Sequence, residues 1–336
     1  MMKKWITILL CLMVAVSLSA CSNKNQETKT DESSTPGNST DQTSGPEESP
    51  VKVSVTFDAM KEFVAAVGKD KVEISTIIPD GMEAHDFEPK AQDLAALSTA
   101  RIFVYSGLGM EAWAEEAIEA AGNAELIIVE ASKGADIIER KETEESGEHE
   151  EEHEGDEEHE EGEAHGHGKY DPHIWLGLKS AQVEVENIKN ALVQADPSNK
   201  DYYEANCSGF VSQLESLYNE YNEKFQSVER KNFVTGHAAF GYLCRDFGLE
   251  QNSVKDIFAE GEPSAQQLAE LVEYCKENKV TTIFAEEMAS PEVSQTLANE
   301  VGAKVETIYT IESSEDGMTY LERMTDNLSK IYDSLK

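Results

Sequence analysis

The sequence predicts an α/β protein of two lobes, each with a four-stranded parallel sheet flanked by helices, joined by one long linking helix. Three observations predict this. Two sets of four strands can be read along the chain, the first of them short runs rich in Val and Ile. Helical patterns separate the members of each set, and strand–helix alternation implies parallel strands joined by right-handed crossovers. Between the sets, Lys200 to Val228 reads as one helix whose only glycine is Gly209; at 1.5 Å per residue it is roughly 40 Å long, about the diameter of a domain.

The amino terminus reads as an export signal. Lys3 and Lys4 precede an apolar run from Ile6 to Leu18, which ends in Leu18-Ser19-Ala20-Cys21. A basic start, a short apolar middle and small residues at the end are the parts of a secretory signal. The apolar run is shorter than the ~20 residues of a permanent membrane helix. Residues 1–20 are therefore expected to be a signal peptide. Residues 21–50 form a tether: from Ser22 to Pro50 there is no apolar residue to bury.

The first lobe, residues 51–196, is expected to hold strands at Lys52–Phe57, Val72–Ile78, Ile102–Tyr105 and Leu126–Val129. Helices are expected between them at Ala59–Val67, Lys90–Ala100 and Glu111–Ala121, with a further one at Leu178–Gln194. Asp196-Pro197 breaks the chain ahead of the linking segment, 197–229. The second lobe, 230–336, is expected to hold strands at Asn232–Thr235, Asn252–Asp256, Val280–Ala285 and Lys304–Tyr309. Its helices are expected at Ala238–Phe247, Pro263–Asn278, Pro291–Val301 and Met318–Leu335. Neither lobe carries a GxGxxG or GxxxxGK[ST] segment, so no nucleotide site is indicated.

The formal net charge of −38 argues against nucleic acid or anionic lipid as partners and favours cations. Much of that charge lies at 139–168, a Gly-dotted run of Glu and Asp containing His149, His153, His159, His165 and His167. Too polar to pack, this stretch reads as a disordered loop. Imidazole beside carboxylate suits divalent transition ions, zinc above all; the plainer reading is a solvated acidic loop with incidental histidines. Beyond Cys11 and Cys21 there remain Cys207, Cys244 and Cys275, without CxxC spacing. One disulfide with a free thiol and three buried thiols are both compatible with that count.

The remaining histidines fall where ligands bind in parallel sheets, beyond the carboxyl ends of strands. His85 follows the second strand, His173 the fourth and His237 the fifth, while Glu312 follows the last. Two come from the first lobe and two from the second. Three imidazoles and one carboxylate suit four-coordinate zinc. A lone histidine is as readily a polar core residue or a helix cap. Neutral imidazole is the ligating form, so binding is expected to weaken as pH falls through about 6.5.

At these residues the chain resembles the zinc-binding lipoproteins of ABC importers, solute-binding proteins with two lobes and a rigid linking helix. Gly81-Met82-Glu83-Ala84-His85-Asp86-Phe87-Glu88-Pro89 is similar to the family's first ligand loop. Asp171-Pro172-His173-Ile174-Trp175-Leu176 resembles the second, and Gly236-His237-Ala238-Ala239-Phe240-Gly241-Tyr242 the third. Gly261-Glu262-Pro263-Ser264, Phe284-Ala285-Glu286 and Asp196-Pro197-Ser198-Asn199 recur as structural landmarks, and an acidic His-rich insertion marks the zinc members. Leu18-Ser19-Ala20-Cys21 resembles a lipobox, which implies that Cys21 is acylated; an ordinary secretory signal with a coincidental Cys is the alternative.

The resemblance implies a monomeric zinc receptor and no enzyme. It is lipid-anchored on the outer face of a bacterial cytoplasmic membrane and delivers Zn2+ to an ABC permease, with the His-rich loop as a weaker auxiliary site. A His at position 237 goes with zinc in this family, and a Glu there with manganese. Two departures stand out. Glu286 is followed by Glu287 in place of Pro, and no Pro precedes Ile311-Glu312, so Glu286, Glu287 and water stay open as alternatives to Glu312. A manganese or iron receptor of the same fold is the alternative metal reading. A secreted zinc hydrolase is the alternative of another class, although no HExxH occurs. A purely adhesive surface protein is a third.

Overall fold

Residues 49–140, 169–256, 263–286, 292–314 and 316–336 are described by a computed structural model. The signal, nearly all of the tether with Cys21, the histidines at 149, 153, 159, 165 and 167, and Glu287 lie outside the described residues.

The first sheet contains β1 (Val51–Val55), β2 (Val72–Thr76), β3 (Ile102–Tyr105) and β4 (Ile127–Glu130), in the order β2-β1-β3-β4, all parallel. Val53 and Val55 of central β1 are buried and match Ile102 and Val104 of β3 in register. The second sheet repeats the plan with β5 (Asn232–Thr235), β6 (Glu250–Ser253), β7 (Thr282–Glu286) and β8 (Lys304–Ile308), in the order β6-β5-β7-β8.

Eight helices complete the described chain: α1 (Asp58–Gly68), α2 (Ala114–Ala121), α3 (Leu178–Ala195), α4 (Lys200–Gln226), α5 (Gly241–Phe247), α6 (Ala265–Glu277), α7 (Glu292–Val301) and α8 (Tyr320–Ser334). Helices α6 and α8 start at reciprocal capping boxes, Ser264 with Gln267 and Thr319 with Glu322, which satisfy amide groups the first turn leaves over. The linking helix α4 buries Tyr203, Cys207, Phe210, Leu214, Leu217, Tyr221 and Phe225. Their spacing of three and four residues lays one apolar stripe against α1, α3 and α8. Rings of α1, α4 and α8 meet there: Phe63 lies 4.8 Å from Tyr320 and 6.2 Å from Phe210, centroid to centroid.

Several elements begin or end two or three residues from the expected bounds, α2 at Ala114 and α5 at Gly241 each by three, and two more departures have a physical cause. Lys90–Ala100 is not an α-helix; it coils in turns around a short 3-10 segment, Asp93–Ala96. Leu94, Leu97 and Ala100 are three residues apart, and a three-residue period aligns them on one face, with Leu97 and Ala100 buried. Asn123 then takes the carbonyls of both Leu97 and Ala100. Strand β6 starts two residues before the expected Asn252. Its Glu-Gln-Asn-Ser sequence has no apolar alternation, and it survives as an edge strand through its ladder to β5 and the bonds of Gln251 to Thr235 and the His237 carbonyl. Cys207, Cys244 and Cys275 are all free and buried, which settles their state as three thiols.

The seam between the sheets is held at the segment after β8. Five successive carbonyls are taken by donors from elsewhere: Tyr309 by the Asn327 amide, Thr310 by the Trp175 indole, Ile311 by the Ala59 amide, Glu312 by the Asp58 amide and Ser313 by Arg323. Arg323 also pairs with Asp58, both side chains being buried. Within this segment Ile311 has φ 61°, a left-handed conformation costly for a β-branched residue, on the order of 1–3 kcal/mol.

One buried acid lies apart from these bonds. Glu184 of α3 is fully buried, and neither carboxylate oxygen has a hydrogen-bond partner among the described residues. Burial first, and the neighbouring Glu111 second, push its pKa well above the ordinary carboxylate range. A pKa raised by folding leaves stability intact below the unfolded value and withdraws it as pH rises through the folded one. Glu184→Gln, neutral at every pH, is expected to raise the unfolding temperature near neutrality and to change it little below about pH 4. Calorimetry across that range checks this; an equal shift at both ends would assign the effect to packing.

Candidate metal centre

Every side chain of the candidate site is delivered by a connection that leaves a strand at its carboxyl end. The chain continues the ladder past β2, with the Ile77 and Ile78 amides bonded to Val55 and Thr56, and then turns into the loop that carries His85. The loop is tied to the second lobe: the Gly81 amide donates to Ser313 Oγ at 2.8 Å and the Ala84 amide to Glu312 Oε2 at 3.3 Å. His173 precedes a 3-10 turn, Ile174–Leu176, whose Trp175 and Leu176 are buried. His237 follows β5, where its carbonyl accepts from Thr235 Oγ1, Gln251 Nε2 and the Ala239 amide. Glu312 stands one residue beyond the left-handed Ile311.

His85, His173, His237 and Glu312 come together: one ligand atom from each lies within 4.8 Å of every other. His173 Nε2 is 2.9 Å from His85 Nε2 and 3.2 Å from His237 Nε2. Donors about 2.05 Å from a tetrahedral ion would stand ~3.3 Å apart, so these two separations are close to ligating geometry. His173, His237 and Glu312 are buried and His85 is half-buried, which leaves its loop as the exposed wall.

Burial sets the electrostatics. It pushes His85 down to about 3, with His173 adding to the shift. It lowers His237 well below the ordinary imidazole value, helped by His173, His85 and Lys255. These two rings therefore resist protonation more than an ordinary histidine does. Neutral rings offer Nε2 lone pairs without first losing a proton.

Two carboxylates behind the rings escape a reading of spacing alone. Asp171 Oδ1 accepts from the His173 amide at 3.0 Å and lies 2.9 Å from Nδ1 of the same ring. An Asp that bonds the amide two residues on is the Asx turn that Asp-Pro-His favours, so the signal was present in the sequence. Glu286, at the end of β7, accepts from the His237 amide at 3.0 Å and stands 3.9 Å from its Nδ1. It holds the back of His237 and is not one of the four grouped side chains. Tyr242 of α5 was also unread: its hydroxyl donates to the Asp171 carbonyl and accepts from the Ile138 amide. The residues flanking 141–168 are paired, Glu139 bridging Tyr170 and the Asp171 amide donating to the Ile138 carbonyl, immediately ahead of His173.

Residues 53–334 match the family described as zinc-uptake complex component A, periplasmic (ZnuA). The chain is 36% identical over 340 residues to the high-affinity zinc uptake system protein ZnuA of Bacillus subtilis (strain 168), covering 100% of this chain and 99% of that protein. Among solved structures, a mutant of the laminin-binding adhesin Lmb from Streptococcus agalactiae superposes with a TM-score of 0.74 at 34% identity, over 85% of this chain and all of that one. A zinc-bound deletion mutant of ZnuA superposes with a TM-score of 0.71 at 29% identity, over 85% of this chain and 98% of that one. Matched along nearly all of its described length, the chain belongs to the ZnuA family of zinc-uptake components.

Proposed function

We propose that this protein is an extracytoplasmic zinc receptor. It captures Zn2+ between its lobes with His85, His173, His237 and Glu312 and delivers the ion to an ABC permease in the cytoplasmic membrane. The convergence of three imidazoles and one carboxylate from both lobes carries the reading. Nitrogen-rich donor sets favour zinc over the harder manganese, which prefers carboxylate. Four protein ligands also close the coordination sphere, whereas a hydrolytic zinc keeps one position for water. The protein is therefore a carrier of its ion and performs no catalysis. It acts as a monomer without nucleic acid. Among the described residues no helix is long and apolar enough to cross a membrane. Acylation at Cys21 supplies the attachment to the outer face, with 21–50 as the tether. A mature protein that begins at an acylated Cys21 in mass spectrometry is expected; release from membranes unchanged by Cys21→Ala would sink the lipid anchor.

Titration of metal-free protein with zinc and manganese is expected to give one tight zinc per chain and weaker manganese. Ala at 85, 173 or 237 removes a metal–nitrogen bond. The loss should exceed the roughly 10–100-fold typical of changes one layer further out. Glu312→Ala costs less, because water can take the place of one carboxylate oxygen. Zinc held equally tightly by all three histidine variants would reject this ligand set.

His149, His153, His159, His165 and His167 form the auxiliary site. Ordering them on a Gly- and Glu-rich chain costs conformational entropy, so they bind zinc more weakly than the site between the lobes. Their acidic surroundings concentrate cations beside His173. Removal of 141–168 is expected to leave one tight zinc per protein while slowing capture in stopped-flow measurements. An unchanged capture rate would reduce the loop to a spacer.

A further inference from the structure

Gly236 and Gly241 flank His237 in a single connection between β5 and α5. Neither has a positive φ, so backbone conformation does not require glycine at either position. What requires it is space. A methyl group on Gly241 would stand 2.5 Å from Asp171 Oδ2, and one on Gly236 would stand 2.1 Å from Glu286 Oε2. None of the three nearest atoms at either position is main-chain: Gly241 would meet the Asp171 carboxylate and, at an ordinary 3.6 Å, Ile138 Cδ1, and at Gly236 all three belong to the Glu286 carboxylate. A side chain at these positions would thus press first on a carboxylate.

Those two carboxylates are the ones behind the imidazoles. Asp171 Oδ1 bonds the amide of His173 and faces its Nδ1 at 2.9 Å. Glu286 Oε1 bonds the amide of His237 at 3.0 Å. At His173 a carboxylate on Nδ1–H places the ring proton there, turns Nε2 towards the ion and makes the ring a stronger donor, whereas Glu286, 3.9 Å from the His237 Nδ1, holds that residue through its amide. We propose that Asp171 and Glu286 are positioning residues for the imidazoles of His173 and His237, each seated in a notch that Gly241 or Gly236 keeps open.

The arrangement crosses the seam. Gly241 belongs to the second lobe, whereas Asp171 and His173 belong to the first, so the start of α5 governs the orientation of a ring in the other lobe. Tyr242, next in sequence, bonds the Asp171 carbonyl and fixes the same residue from its main-chain side. The inference rests on the zinc-receptor reading above and adds to it the residues that set how well the site fits its ion.

The test compares purified full-length protein with Gly241→Ala, Asp171→Ala, the double variant and Asp171→Asn. Zinc is titrated calorimetrically, Co2+ absorption serves as a probe of donor geometry, and each metal-free unfolding temperature is recorded. Gly241→Ala and Asp171→Ala are each expected to weaken zinc roughly 10–100-fold, with an altered cobalt spectrum. The double variant should weaken it no further, because the methyl group acts only through the carboxylate. Asp171→Asn keeps an acceptor in the notch and should retain more affinity than Asp171→Ala. If Gly241→Ala folds poorly, the double variant, which has no oxygen to clash, should regain the unfolding temperature and not the affinity. Gly236→Ala with Glu286→Ala should repeat the pattern at His237. Additive losses in the double variant, or wild-type affinity in Gly241→Ala, overturn the proposal while the receptor reading stands. Wild-type protein that takes up no zinc overturns both.

Discussion

The guanidinium of Arg323 reaches from the last helix to Asp58 at the start of the first, and on the way it takes the carbonyl of Ser313. Two buried charges pay a large desolvation cost that only close pairing offsets, and removal of one partner from such a pair typically costs about 3–5 kcal/mol. The pair therefore holds the segment 309–313 against α1 with little freedom to drift. The Asp58 and Ala59 amides, at the buried start of that helix, then donate to the carbonyls of Glu312 and Ile311. A left-handed Ile311 persists because the surrounding bonds over-determine it. The position of Glu312, and through Glu312 Oε2 that of the His85 loop, follows from this clamp.

The same seam explains why His85 and His237 resist protonation. Each ring is brought to its neighbours by a connection from a different strand, and together they leave little room for water around His173 and His237. Charges on two of these rings would repel across about 3 Å in a poorly screened interior, so burial first and repulsion second lower His85 and His237 together. The unbroken α4 adds a mechanical condition. Its apolar stripe packs on helices of both lobes, so the lobes share one core and a wide hinge opening would expose it. The half-buried His85 is the least enclosed of the four grouped side chains.

The two parallel four-stranded sheets were readable because most strands are short apolar runs bounded by breakers and followed by a helical period. The convergence of His85, His173, His237 and Glu312 was readable because each follows a strand's carboxyl end, where parallel sheets of this kind gather their loops. What escaped depends on contacts remote in sequence. The apolar spacing of Leu94, Leu97 and Ala100 fits a tighter coil once Asn123 claims two of its carbonyls. Strand β6 has no hydrophobic signature and exists through its neighbour's ladder. The seats at Gly236 and Gly241 depend on carboxylates 50 and 70 positions away in the chain, by subtraction of residue numbers, which no local pattern reveals. The state of the cysteines likewise depends on burial that composition does not fix.

Cys207, Cys244 and Cys275 lie in α4, α5 and α6, one on the linking helix and two in the second lobe. A thiol reacts as its thiolate, and burial pushes Cys207 up to about 12, Cys275 up to about 11 and Cys244 up as well. Each sulfur is thus shielded both by contact and by its own proton while its helix is in place. An alkylating reagent gains access at the rate at which that helix loosens, so three modification rates, resolved by peptide mass, time the opening of three separate parts of the fold. The protein carries its own internal clocks, and loading the site with an ion would show which of them slow down.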